Sequence, residues 1–216
     1  MKFLSLIFVI LLLTSCSSTQ LVERWKNPEI DIYVPSKILV VGLTSDHTAR
    51  TAFENQLKNE LELRGAEVVM SLNMFKGQSG SEKMNEEDLE DLENQLTDEG
   101  FDTILLTEIV GIENKVVHRR DYRKHIQLSR SFEEEYLMQK QWHFDADEYE
   151  EYQIYKAETL MYCICPIKDR ELLWKGYINI SDPQSVHKTV DDYVKLVIAA
   201  LEQEQLILSK PAENLE

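Results

Sequence analysis

Histidine and acidic residues are concentrated between positions 118 and 151, where they could bind a metal ion or transfer protons. His118, His125 and His143 lie in this stretch, and Asp145 and Asp147 follow the last of them closely. Imidazole and carboxylate groups are common ligands of zinc and manganese. The spacing matches neither H-E-x-x-H nor an EF-hand loop, so the sequence assigns no metal and no cofactor. A hydrolase or metal-binding protein that uses residues 118–151 is nevertheless one hypothesis.

Cys163 and Cys165 are the second group with chemical potential. They occupy alternate positions of a predicted strand, so both side chains point to one face together with Met161. A disulfide between them would be strained, because side chains two residues apart in a strand lie farther apart than the bond allows. Such a pair can also bind soft metals. We expect two small core residues instead.

The sequence contains no pattern typical of an enzyme. The loop after Gly42 has neither the dinucleotide-binding glycines nor a P-loop, and no G-x-S-x-G motif is present. Carboxylates are so frequent that they single out no acid–base pair. We therefore predict that the protein is not an enzyme and has no catalytic residues.

The first sixteen residues have the pattern of a secretory signal. Lys2 precedes an apolar run of about 11 residues, too short to span a bilayer, which takes roughly 20. The run ends in Leu13-Thr14-Ser15-Cys16, which resembles the lipobox of bacterial lipoproteins. That resemblance implies removal of residues 1–15 and attachment of lipid, including palmitate, to Cys16. An ordinary signal peptide with an incidental cysteine is the alternative.

The residue after the predicted anchor bears on location. Many Gram-negative lipoproteins that stay at the inner membrane have Asp there, whereas this chain has Ser17. By that resemblance we expect an outer-membrane lipoprotein with its domain in the periplasm, while the inner membrane and the cell surface stay open alternatives.

Composition limits the partners of the mature chain. Removing residues 1–15 from the 216 leaves 201, enough for one domain with a sizeable core. Because Lys2 is the one charge removed, the net charge goes from −16 to −17. Nucleic-acid binding needs clustered cations, so we exclude it. We also expect the lipid, and not the acidic surface, to hold the protein at a membrane.

Hydrophobic periodicity predicts a single α/β domain over residues 37–208, with a tether at 16–36 and a tail at 209–216. Residues 37–43 read as a buried strand, and an amphipathic helix and a strand at 66–72 complete a βαβ unit. A helix over about 85–98 and a strand at 101–110 follow. A β-hairpin and a long C-terminal helix end the domain. We expect a mixed sheet in a two-layer or three-layer sandwich.

A charged excursion at 111–151 interrupts this pattern. Its first half is basic and its second half acidic and aromatic, so the halves could pair across a hairpin or between copies of the chain. A solvated loop is the plainer interpretation. Loops on a rigid scaffold often bind partners. The candidate partner-binding residues are Arg119, Arg120, Arg123, Lys124 and Tyr149.

Three pieces of the chain together resemble a family of small bacterial envelope lipoproteins, mostly of unknown function. They are the lipobox, the stretch from Trp25 through residues 38–43 to Arg50 and Glu54, and the strand at 158–162 with its return at 172–176. The domain of that family is similar to the amino-terminal domain of TolB, the curli secretion lipoprotein and a penicillin-binding-protein activator lipoprotein. The excursion departs from the family pattern.

The resemblance implies a membrane-anchored, non-enzymatic module that binds protein or assists assembly in the cell envelope. A partner protein in the envelope is therefore expected. A structural subunit of a homo-oligomer is the further alternative, with the two halves of the excursion pairing between copies.

Overall fold

The computed structural model describes residues 18–74, 86–118, 136, 149–165, 171–183 and 185–210. Within these ranges the chain forms a six-stranded mixed sheet with helices on both faces. The strands are β1 (Thr19–Lys26), β2 (Lys37–Leu43), β3 (Glu67–Met70), β4 (Thr103–His118), β5 (Tyr149–Cys163) and β6 (Glu171–Ser181). The helices are α1 (His47–Glu62), α2 (Ser71–Met74), α3 (Glu86–Asp98) and α4 (Val186–Gln203).

The strand order is β1-β6-β5-β4-β2-β3. β2 runs parallel to β3 and to β4, and the other neighbouring pairs are antiparallel. Parallel strands need a crossover, and α1 supplies it between β2 and β3. The predicted α/β class, the mixed sheet, the β-hairpin and the C-terminal helix are confirmed.

The βαβ unit forms for the reasons that the sequence indicates. β2 is buried on both faces, because α1 packs on one side and α3 on the other. α1 begins after Asp46, whose carboxylate Oδ1 accepts from the backbone N–H groups of Thr48 at 2.9 Å and Ala49 at 3.0 Å. Beyond the other end of α1, Gly65 adopts a φ of 91°, the left-handed conformation that glycine allows.

Two hydrophobic cores lie on opposite faces of the sheet. The larger lies between the sheet and helices α1 and α4, around the fully buried indole of Trp174. The smaller lies under α3, where Leu96 packs with Leu39 and Phe101. The sheet therefore lies between two hydrophobic cores, and its strands begin and finish at two opposite ends.

The predicted tether contains a strand, so that part of the prediction is wrong. Residues 19–26 form β1, which pairs antiparallel with β6 at the edge of the sheet. Only Thr19 in this strand is buried, so its residues carry no hydrophobic alternation. Backbone hydrogen bonding to β6 holds the strand in place, with a register shift between Leu21 and Glu23.

The excursion begins later and ends earlier than predicted. β4 does not stop at residue 110 but continues to His118, and β5 already begins at Tyr149. The two strands stay paired throughout, from Thr103 opposite Cys163 to His118 opposite Tyr149. The register shifts between Ile109 and Gly111, where the sequence pattern changes, and the two strands stay paired beyond the shift. A hairpin pairing of the two arms was one of the predicted possibilities.

Cys163 lies in the larger core and Cys165 packs against it, as expected. The structure joins the two residues in a disulfide, which corrects the expectation that they are not bonded. That expectation placed both residues in a strand. β5 ends at Cys163, and the turning chain brings the two Cα atoms to 5.3 Å. This separation lies inside the usual range for disulfides.

Candidate interaction surfaces at the two ends of the sheet

The most highly connected polar cluster lies where β2 and β3 end, the position at which open α/β sheets commonly bind ligands. Glu54 on α1 is completely buried there. Its Oε1 accepts from the Gly42 N–H at 3.1 Å, from Arg50 Nε at 3.0 Å and from Ser71 Oγ at 2.7 Å. Its Oε2 accepts from the Leu72 N–H at 3.0 Å. Both oxygens are thus engaged in joining α1 to the ends of two strands.

A second cluster is a buried chain of hydroxyl groups under α4. Thr107 Oγ1 lies 2.7 Å from Thr159 Oγ1, which lies 2.8 Å from the hydroxyl of Tyr193. Burial raises the pKa of Tyr193 to about 12, against the opposing effect of its hydrogen bond with Thr159. A tyrosine this hard to ionise is suited to packing and hydrogen bonding and unsuited to acting as a base.

A third cluster lies on the opposite face of the sheet. Lys175 Nζ is 2.6 Å from Glu158 Oε1 and 3.1 Å from the hydroxyl of Tyr177. Burial works to raise the pKa of Glu158, but its hydrogen bonds with Lys175 and Tyr177 outweigh burial and lower it. Hydrogen bonds with Glu158 and Tyr177 raise the pKa of Lys175. Both side chains therefore stay charged near neutral pH, as a cross-strand ion pair.

Two observations on the described residues concern the binding of metals and small molecules. None of their His, Cys, Asp and Glu side chains form a group of three or more placed to hold a metal ion. A pocket between Val34, Arg64 and Leu208 has a volume of about 20 Å³, room for about one water molecule. In the same part of the chain, no helix is both long enough and apolar enough to cross a bilayer.

Most of the site residues predicted from the sequence lie outside the ranges that the structure describes. Arg119, Arg120, Arg123 and Lys124 are beyond the described ranges, and so are His125 and His143. Tyr149 is the first residue of β5, and its backbone pairs with that of His118. Cys16 is also outside. Ser18, two positions later, is fixed because its carbonyl accepts from the Ser181 N–H at 2.8 Å. The partner-binding and lipid-attachment assignments stay predictions.

The register of the sheet places Thr19, three residues after the predicted anchor, level with residues of β6, β5 and β4. One row across four strands runs from Thr19 to Ile180, then to Tyr155, then to Ile112. With about 4.8 Å between strands, Thr19 lies roughly 14 Å from Ile112. We name this end of the sheet the anchor end. Past Ser181, where β6 stops, β4 and β5 continue as a two-stranded ribbon.

This ribbon has two different faces. Ile112 and Val116 are each 59% exposed on one face, and Ile109 continues the line toward the body of the domain. We call these three residues the hairpin strip. On the other face, Glu113 lies 2.5 Å from Lys115 Nζ and 3.2 Å from Lys156 Nζ. Hydrogen bonds from these lysines, Lys115 first, lower the pKa of Glu113. The first face is polar as well, because Asn114 accepts from Gln153 there and Glu151 lies opposite Val116.

A second exposed apolar surface lies at the opposite end of the sheet, which we name the far end. Ile32 is 68% exposed, and Val34 and Leu208 are each 50% exposed. Val34 and Leu208 line the same small pocket, and Ile32 is two residues before Val34 in the sequence. We call these three residues the far-end patch. The chain is held here because the Tyr33 N–H donates to the Gln205 carbonyl at 2.9 Å.

Exposed carboxylates accompany the far-end patch. Glu29 and Asp31 precede it in sequence, and both are exposed. Glu99, also exposed, lies at the same end, since its carbonyl accepts from Lys37 Nζ at 3.1 Å. Basic residues lie there too, since Lys37 donates to Glu99 and Arg64 lines the pocket with Val34 and Leu208. The far end is thus an apolar surface with charges of both signs around it.

Sequence reasoning missed both surfaces. Three polar residues, Glu113 to Lys115, separate Ile112 from Val116, so the alternation typical of a strand with one apolar face is absent there. The exposed apolar residues at 32 and 34 precede a proline in a segment interpreted as tether. Neither pattern states that the face is left uncovered, and that information comes from the fold.

No family model matches the chain, and no curated protein matches it. Among solved structures, the PelC dodecamer from Paraburkholderia phytofirmans is similar at 9% identity, covering 87% of this chain and 97% of that chain with a TM-score of 0.44. Lipoprotein GNA1162 from Neisseria meningitidis is similar at 14% identity, covering 78% of this chain and 99% of that chain with a TM-score of 0.40. Neither likeness is close enough to assign a family or a function.

Proposed function

We propose that the protein is a lipoprotein of the bacterial cell envelope, anchored through Cys16, that acts by binding another protein and performs no chemical step of its own. The observation that carries this proposal is the far-end patch, an exposed apolar surface at the end of the sheet away from Cys16. Exposed apolar patches on small domains commonly mark sites of protein binding. A partner reaches this end without approaching the anchoring membrane.

The chemistry of the far end specifies the partner. Burial of Ile32, Val34 and Leu208 calls for an apolar contact surface on the other protein. The net charge of −17 after loss of residues 1–15 favours a partner with lysines and arginines around that surface. We therefore propose a heterologous envelope protein with an apolar contact area and a basic rim.

The choice of membrane and the two alternative functions depend on residues that lie largely outside the described ranges. Outer-membrane placement is proposed from Ser17, and a role for Arg119, Arg123 and Tyr149 in partner binding is proposed from their charge and position in sequence. The hydrolase or metal-binding alternative depends on the histidines of residues 118–143. The homo-oligomer alternative depends on pairing of the excursion between copies.

Photocrosslinking in intact cells tests the proposed function. A photoreactive residue replaces Val34 or Leu208, and Leu89, an exposed apolar residue on α3, is the matched control position. We expect a discrete heterologous product from positions 34 and 208 and none from position 89. Further probes at Arg119, Arg123 and Tyr149 test the sequence prediction in the same cells.

Each outcome of the crosslinking has a definite meaning. Self-crosslinks alone at positions 34 and 208 would replace the adaptor function with a homo-oligomer. An absence of product at the far end would overturn the far-end patch as the binding surface. A heterologous product confined to positions 119, 123 and 149 would move the binding surface to the excursion.

A further inference from the structure

We propose that the Cys163–Cys165 disulfide is a site of thiol–disulfide exchange with a protein dithiol, and that its redox state controls the far-end patch. This inference rests on the proposed function, because it regulates the surface that is proposed to bind the partner. The dithiol brings about the chemical step, so this chain is assigned no catalytic residue.

The two cysteines differ in their access to solvent. Cys163, the last residue of β5, is 1% exposed, whereas Cys165, just beyond the strand, is only partly buried. An attacking thiolate therefore reaches Cys165 and not Cys163. The N–H of Cys165 lies 3.2 Å from Cys163 Sγ, where it stabilises the negative charge that develops on this sulfur when the bond breaks.

The exchange takes two steps and transfers two electrons. A thiolate of the dithiol attacks Cys165 Sγ, the S–S bond breaks, and its electron pair leaves on Cys163 Sγ, which takes a proton from water. The second thiol of the dithiol loses its proton and attacks its own partner's sulfur in the mixed disulfide, which releases Cys165 as a thiolate that is protonated in turn. The dithiol becomes a disulfide, and the two cysteines become thiols.

The fold depends little on this bond. A disulfide stabilises a protein mainly by restricting the unfolded chain, and it does so less when the loop that it closes is short. Only Ile164 lies between the two cysteines. Ile164 is itself buried in the smaller core, and its N–H donates to the Asp102 carbonyl at 2.9 Å. We therefore expect the domain to stay folded when the bond is open.

Cys165 contacts the residue that holds the far-end patch in place. Tyr33 lies between Ile32 and Val34 in the chain, and its side chain packs against the larger core together with Cys165. The Tyr33 hydroxyl is 3.7 Å from Cys165 Sγ and 2.7 Å from Thr103 Oγ1. The position of the patch is thus coupled directly to the position of one sulfur of the disulfide.

Opening the bond displaces Cys165. Two thiol sulfurs that share no bond separate to van der Waals distance. Because Cys163 is fixed in the core, Cys165 is the residue that moves, and its contact with Tyr33 is lost. The disulfide therefore keeps the patch ordered before a partner arrives, and preordered surfaces bind more tightly because fewer groups have to be fixed on association. Reduction weakens binding at the far end.

Trapping of the mixed disulfide tests the exchange site. The probe is reduced thioredoxin whose resolving cysteine is replaced by serine, incubated with the full-length acylated protein, because the first step then has no second step to follow it. We expect a covalent complex in which peptide mass spectrometry places the link at Cys165. A link at Cys163, or a complex that forms only in urea, would overturn the assignment. The Cys163→Ala/Cys165→Ala variant is the control that should give no complex.

Hydrogen exchange of the oxidised protein and of the protein reduced by unmodified thioredoxin tests the coupling. We expect several-fold faster exchange of the backbone amides at 32–34 after reduction, and no change in a control peptide of α1 that covers residues 51–57. Equal exchange at 32–34 in the two states would overturn control of the patch. Faster exchange in both peptides would also overturn it, because reduction would then loosen the whole domain.

Photocrosslinking in cells from a photoreactive residue at Val34 separates this inference from the proposed function. We expect a heterologous product from the chain with both cysteines, and much less from Cys163→Ala/Cys165→Ala at the same amount of protein. Equal product from the two chains would refute redox control and leave the proposed function standing. An absence of product from both would refute the proposed function, and trapping and hydrogen exchange then decide the redox site by themselves.

Discussion

Replacing Glu54 with glutamine changes one atom in the cluster that joins α1 to the ends of β2 and β3. The carboxylate is completely buried and accepts four hydrogen bonds, from Gly42, Arg50, Ser71 and Leu72. In Glu54→Gln one acceptor becomes an amide donor. If the remaining oxygen keeps its three donors, the new NH₂ group faces the N–H of Leu72, donor against donor.

The expected magnitude follows from what is lost. A hydrogen bond to a charged group is worth about 1.5–3 kcal/mol, and removing one partner of a buried ion pair destabilises by about 3–5 kcal/mol. The side chain of Arg50 is 27% exposed and can recover part of its hydration, which reduces the loss. We therefore expect Glu54→Gln to lower the free energy of unfolding by about 2–4 kcal/mol.

Urea unfolding followed by the fluorescence of buried Trp174 measures this change. Glu62→Gln is the matched control on the same helix, because Glu62 pairs with Lys58 at the surface. An exposed pair of this kind contributes under about 1 kcal/mol, so the control should leave the unfolding midpoint nearly unchanged. The reasoning would be refuted if the two variants unfolded at the same urea concentration.

Two further predictions concern packing and pH. Gly176→Ala should lower the melting temperature sharply, because an added Cβ would lie 2.2 Å from the ring of fully buried Trp174. Gly111→Ala is the control, because the added Cβ would meet its nearest neighbour at 3.9 Å. Equal melting temperatures of the two variants would contradict the prediction. Burial raises the pKa of Tyr193 to about 12, so the unfolded state loses the tyrosine proton at a lower pH than the folded state. The free energy of unfolding should therefore be constant below pH 10 and fall by up to about 3 kcal/mol between pH 10 and 12. Tyr193→Phe should flatten that alkaline loss in urea titrations at several pH values, and an unchanged slope would show that another group is responsible.

The buried centre of the fold was predictable because its residues have to satisfy one repeating pattern. β2 is a continuous apolar run since it is covered on both faces, and α4 shows its apolar stripe because one side packs on the sheet. β1 was missed since it is an edge strand with one buried residue, held by backbone pairing that leaves no mark in side-chain type. The extension of β4 was missed because three polar residues in a row, Glu113 to Lys115, interrupt its apolar residues and leave no alternation.

The polar clusters were beyond sequence reasoning for a different reason. Glu54 and Ser71 are 17 residues apart, and only the βαβ crossover brings them to 2.7 Å. The resemblance included Arg50 and Glu54 without explaining why they belong together. The structure gives the reason, since Arg50 donates to both the carboxylate and the Ser71 hydroxyl. Likewise, which apolar residues stay exposed depends on where β6 and the helices stop.

The anchor at Cys16 is the claim on which the proposed function depends. Its most direct test is the intact mass of the protein extracted from the membrane fraction of the cells that produce it. The account predicts a chain that begins at Cys16 and carries covalent lipid, with Cys16→Ala found outside the membrane fraction. An unmodified mature chain, or one that begins at any other residue, would contradict the account.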